Sequence, residues 1–176
     1  LLHIRRGELT EAEEAVRKGW ENIDPKLNTY LEWWETPFVL SAEAELALAQ
    51  GDLTRATRCI HKLLAKYDEL NLRHFKPGIL YLQARVELAA GNKEEAFQSL
   101  SEALTLSDGI GARREVWAMC SLLGKLETER GNESVAIQMK VRAGNEAMLI
   151  AEHTGTPELR ETFLSRADVK MVLSIL

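Results

Sequence analysis

Apolar residues recur at helical spacing along most of the chain. Leu46, Ala49 and Leu53 bracket one turn, and Ile60, Leu63, Leu64 and Tyr67 follow it. Leu80, Ala84 and Leu88, then Ala96, Leu100, Ala103 and Leu104, repeat the spacing. Recurrence at three and four residues sets each group on one face of a helix. The pattern predicts helices over 10–22, 26–35, 37–50, 53–70, 75–90, 93–107, 112–130, 133–153 and 157–175. Joints between repeats fall near 71–74, 108–111 and 154–156.

A second pattern lies over the first. Gly followed by an acidic or amide residue occurs at Gly7-Glu8, Gly51-Asp52, Gly91-Asn92 and Gly131-Asn132. The glycine spacings are 44, 40 and 40, and five residues past each glycine stands an alanine: Ala12, Ala56, Ala96 and Ala136. Pro37 and Pro77 each lie 14 residues before their glycine, and Pro157 lies 80 beyond Pro77. Read physically, this is a repeated helix–turn–helix. Gly releases helix A, Asp or Asn caps helix B, and Ala lets the two helices approach. Pro suits the first turn of helix A, where its missing N–H costs nothing. One such unit cannot bury its apolar face alone, so stacking supplies the core. No Pro-, Gly- or Ser-rich stretch interrupts the chain, and residues 1–176 are expected to form a single domain.

These residues resemble the tetratricopeptide repeat family. Ala44, Ala84 and Gly124 stand at its small mid-helix position, and Leu40, Leu80 and Cys120 at the large apolar position of helix A. In helix B, Val16, Ile60, Leu100 and Lys140 take the large position, and Gly19, Leu63, Ala103 and Ala143 the second alanine position. Leu63 and Lys140 depart from the pattern. The ordinary period is about 34 residues, and this longer one is similar to arrays in bacterial regulators related to the maltose transcriptional activator. The tail Thr156–Ser165 and Ala167–Leu173 is similar to the closing helix of such arrays in bacterial ATPase, cyclase and kinase proteins. The resemblance implies an all-α, right-handed superhelix of about four helix pairs plus a C-terminal capping helix. It also implies a concave face, lined by A helices, that binds partners.

Composition agrees with helix. Leu (27), Ala (20) and Glu (22) outnumber Val plus Ile (16), and aromatics are 6%. That balance disfavours a β-sandwich or barrel. A formal net charge of −5 argues against direct nucleic-acid binding, since duplex binders carry a basic stripe. The clusters Arg5-Arg6 and Arg113-Arg114 each have Glu nearby. No apolar run reaches the roughly 20 residues of a membrane span, and no signal-peptide pattern opens the chain. Cys59 and Cys120 sit in apolar helical patterns and read as core residues rather than a disulfide, consistent with the cytoplasm. The sequence opens at Leu1 inside an apolar phrase, so a C-terminal piece of a longer polypeptide is expected.

The repeat phase projects the concave face. Ten positions before each glycine stand Ser41, Tyr81 and Ser121, and six before stand Glu45, Arg85 and Lys125, with Ser165 one period on. Arg85 and Lys125 could take a carboxylate, Arg bidentately. The plainer reading is a solvated, mixed-charge surface, and the carboxylate clamp known in the family is not reproduced. Trp33 and Trp34, with Tyr30 and Phe38, form the densest aromatic patch. Adjacent residues of a helix cannot share a face, so one Trp is expected in the core and the other is a candidate contact. Gly109-Ile-Gly111 reads as a turn, not a phosphate loop. His3, His61, His74 and His153 lack zinc-motif spacing, no Ser/His/Asp or Cys/His set is visible, and no cofactor is implied. The expectation is a non-catalytic module of a larger bacterial signalling or transcriptional regulator. It would bind a protein or peptide, or upstream domains of its own polypeptide. The alternatives are a small-inducer sensor controlling an upstream ATPase or cyclase, and a homodimer through apolar Leu1, Leu2 and Ile4.

Overall fold

The computed structural model describes residues 1–23, 29–69 and 72–174, with the backbone alone for 29–34. Among these residues there are ten helices and no strand. They are α1 (Leu2–Arg6), α2 (Leu9–Asn22), α3 (Thr29–Ala49), α4 (Leu53–Glu69) and α5 (Lys76–Ala89). They continue as α6 (Lys93–Ile110), α7 (Val116–Glu129), α8 (Glu133–Glu152), α9 (Pro157–Ser165) and α10 (Ala167–Leu173). The chain divides into two compact units, Leu1–Ala96 and Phe97–Leu176, the boundary falling within α6.

Four turns share one hydrogen-bond design. Gly7, Gly51, Gly91 and Gly131 all have φ between 74° and 84°, a conformation that only glycine adopts without strain. The next residue donates its N–H five residues back, as from Asp52 to Ala47 (2.9 Å), Asn92 to Glu87 (2.8 Å) and Asn132 to Glu127 (2.9 Å). Glycine itself donates three residues back, at 3.1 Å in all four. This pair of bonds is a Schellman motif, which satisfies the last carbonyls of helix A. The recurring alanine makes the first bond of helix B: Ala12 to Glu8, Ala56 to Asp52, Ala96 to Asn92 and Ala136 to Asn132.

Side-chain capping is less uniform than expected. Asp52 Oδ1 accepts the Arg55 N–H at 2.9 Å. The Asn132 amide instead turns back and donates to Glu127 Oε2 at 2.6 Å, satisfying a buried carboxylate. Asp52→Ala is expected to cost about 1 kcal/mol, read from the midpoint of guanidinium unfolding.

In the first unit the core lies between α3, α4 and α5. Leu40, Ala44 and Ala47 meet Ala56, Cys59, Ile60, Leu63 and Tyr67, and then Ile79, Leu82 and Val86. A second cluster joins Ala12 and Val16 of α2 to Leu46 of α3. There Gly19 permits close approach, since a Cβ on it would lie 3.1 Å from Val39 Cγ2. In the second unit α7 packs along α8, and α9 and α10 pack on α8. Met119, Cys120, Ala143, Ala147 and Val169 are at most 1% exposed there.

Three element predictions are corrected. The break expected near 36 is absent: α3 runs through Pro37. Pro77 and Pro157 do occupy first turns, so α3 is helix A with an added N-terminal extension. The closing helix breaks at Arg166, whose φ of −59° and ψ of 137° leave the helical region. Its guanidinium bonds Asp168 at 2.5 Å and lies 5.5 Å from the Trp117 ring and 5.7 Å from that of Phe163. Gly109 lies inside α6, so Gly111 alone, at φ 71°, makes the turn.

Candidate functional site

In the first unit, two residues of the projected face, Glu45 and Arg85, meet. Ser41 and Glu45 of α3, and Tyr81 and Arg85 of α5, are all half-buried. Their helices present Leu40, Ala44, Leu82 and Val86 to the core, which turns these four positions toward another side. Arg85 Nη1 donates to Glu45 Oε1 at 2.7 Å, across 40 residues of sequence. The Arg85 guanidinium carbon lies 5.6 Å from the centre of the Tyr81 ring. Burial opposes the Arg85 charge, but Glu45 outweighs it and holds the guanidinium above its ordinary value. Arg85 therefore enters the site already paired, and a partner's carboxylate would compete with Glu45 for it.

In the second unit Ser121 is half-buried and Lys125 is exposed on α7. Ser165 ends α9 and donates to the Thr162 carbonyl at 2.9 Å. Arg113 and Arg114 are both matched by acids: Arg113 lies 3.4 Å from Glu146, and Arg114 lies 2.6 Å from Glu115. Arg142 bonds Asp108, so α8 is tied by two ion pairs to the α6–α7 joint.

The calls at Tyr30, Trp33 and Trp34 lie outside the described side chains. The aromatic surface that is described has a member missed from sequence. Phe75, at the α4–α5 joint, stacks on Tyr67 at 5.3 Å and meets Phe38 edge-on at 6.4 Å. Phe38 is 52% exposed and Phe75 37%. The signal available was Phe75 two residues before Pro77, at the start of helix A.

Both cysteines are buried, and desolvation raises both thiol pKa values, that of Cys120 to about 11. Thiolate is the reactive form, so at pH 8 only about one Cys120 in a thousand is poised to react. Native protein is expected to leave both thiols unmodified by an aromatic disulfide reagent, and unfolding to release two equivalents. Fast native labelling of either would contradict the packing.

Among the described residues no three His, Cys, Asp or Glu side chains are placed to hold a metal ion. Among them, too, no helix is long and apolar enough to cross a membrane. No family model, curated protein or solved structure matches this chain.

Proposed function

We propose that the chain is a non-catalytic helical-repeat module that binds a protein or peptide through the A-helix row of Ser41, Glu45, Tyr81 and Arg85. The tetratricopeptide-like phase, and a place in a bacterial signalling or transcriptional regulator, belong to the same proposal. The observation carrying it is the meeting of Glu45 and Arg85 one period apart at 2.7 Å. An ion pair flanked by an aromatic ring offers a rigid, partly desolvated donor set, of the kind enriched at interface hot spots. The test is peptide-display selection on the intact chain, followed by the charge swap Glu45→Arg with Arg85→Glu. The swap keeps an ion pair and inverts the field, so selected peptides are expected to lose at least tenfold in affinity. Equal binding to both forms would remove the row from the function.

A small-ligand reading is favoured by one feature. A cleft of about 720 Å³ lies between the end of α8, α9 and α10, with Glu152, Thr156, Arg160, Glu161 and Lys170 in its wall. That volume is in the range of small-molecule sites. Thermal-shift screening with sugars, nucleotides and free amino acids tests it. A shift abolished by Arg160→Ala supports this reading, and no shift from any class rejects it.

A further inference from the structure

The outer face of α4 holds a charge pattern that the fold does not use. Arg58, Lys62 and Lys66 stand four residues apart, so one ridge of the helix carries three cations, with His61 beside it. Arg58, His61 and Lys62 are exposed and Lys66 is half-buried. Among the described residues, no ion pair or side-chain hydrogen bond engages any of the four. Several cations of this unit are engaged, Arg17 with Glu14 and Glu21, Arg55 with Glu43, and Arg85 with Glu45, while Arg5 and Arg6 of α1 are exposed like the ridge.

Like charges four apart on a helix repel and weaken it. The acids of α4 are Asp68 and Glu69 at its end, within reach of Lys66 alone, so Arg58 and Lys62 have none on their own helix, in a chain with 27 acids against 22 Lys plus Arg. A like-charged ridge without a folded-state partner raises the local concentration of anionic groups and is open to bind one. Thr54 and Thr57 are exposed on the same face, one turn before Arg58 and His61. Two threonine hydroxyls thus add neutral donors next to the cations.

The neighbourhood limits what the occupant can be. Glu11, Glu13 and Glu14 are exposed on α2, and Glu13 Oε1 lies 4.0 Å from Arg55 Nη1 of α4. The basic ridge is one helix wide, about 10 Å, and carboxylates border it on the α2 side. A duplex or an anionic bilayer would press its phosphates against those carboxylates. Arg58 to Lys66 spans about 12 Å along the axis, the reach of about four extended residues. We propose that this ridge docks a short Asp/Glu-rich segment of a partner protein. This goes beyond the A-helix row and does not require that row to bind anything.

The experiment measures fluorescence anisotropy of a labelled alternating Glu-Asp octapeptide with the intact chain. A labelled oligothymidylate of eight nucleotides and phosphatidylserine vesicles are run in parallel. Saturable peptide binding is expected, weakened at least tenfold by Lys62→Glu. That variant places an acid four residues from both Arg58 and Lys66, so its thermal midpoint is expected to hold or rise. Arg114→Glu makes the same change of net charge at an exposed site in the other unit and is expected to leave binding intact. The swap of Glu45 and Arg85 should also leave it intact, which separates failure of the row from failure of the ridge. The proposal is overturned if the peptide does not saturate, if Arg114→Glu weakens it as much as Lys62→Glu, or if oligothymidylate or vesicles bind more tightly.

Discussion

Leu63→Ala should lower the stability of the fold by about 2–5 kcal/mol. Leu63 is fully buried in the cluster joining α3, α4 and α5. Removing its isobutyl group forfeits the transfer energy and leaves a cavity that Ile60, Ile79 and Leu82 can only partly fill. The case is instructive because Ala103 and Ala143 stand at this position in the later repeats and are themselves buried. The substitution restores the residue of the repeat and still destabilises, because packing is settled by local neighbours rather than by the motif. A chain of this size loses about 2–4 °C per kcal/mol, so the thermal midpoint should fall on the order of 10 °C. Circular dichroism melting checks this. A fall of a degree or two would mean that the α3–α4–α5 core is not packed as described.

Gly124→Val is expected to cost about 1–3 kcal/mol through overpacking. A Cβ at 124 would stand 3.0 Å from Lys140 Cγ and 3.3 Å from the Ala136 carbonyl oxygen. The Lys140 stem can rotate away, but the carbonyl is held in α8. Alanine at 124 would gain up to about 1 kcal/mol of helix propensity against this crowding, whereas valine adds two methyl groups and loses χ1 freedom. Urea unfolding measures the loss, and adding Lys140→Ala should recover part of it. The same contact explains the departure at Lys140 from the repeat pattern. Lys140 stands where Ile60 and Leu100 are apolar, but its stem lies over the bare Gly124 and its Nζ reaches Thr128 Oγ1 at 2.9 Å. The bare glycine makes room for the lysine stem.

What the sequence revealed and what it hid divide along physical lines. The four turns were legible because positive φ demands glycine, and demands it at each repeat. The burial of Cys59 and Cys120 followed from helical periodicity, as did the recurring alanines at 12, 56, 96 and 136. Phase put Glu45 and Arg85 in one row but gave no sign that they pair with each other. The extension of α3 through Pro37 was not legible. A proline ordinarily ends a helix, and only the buried surroundings of Pro37 mark it as interior. At the break, Arg166 lies 5.5 Å from the ring of Trp117, a residue distant in sequence, and no local signal marks that contact. Phe75 was hidden for a similar reason, because its contact with Phe38 joins residues 37 apart. The basic ridge of α4 was present in the sequence, but its freedom from partners is a property of the fold.

The site rests on the claim that A-helix positions one 40-residue period apart become neighbours in space. A double-mutant cycle tests it most directly: Glu45→Ala, Arg85→Ala and both together, each measured by chemical denaturation. The geometry predicts coupling, the double variant losing less than the sum of the single losses by about 0.5–3 kcal/mol. Additivity within about 0.3 kcal/mol would mean that the two side chains do not meet, and would contradict the row.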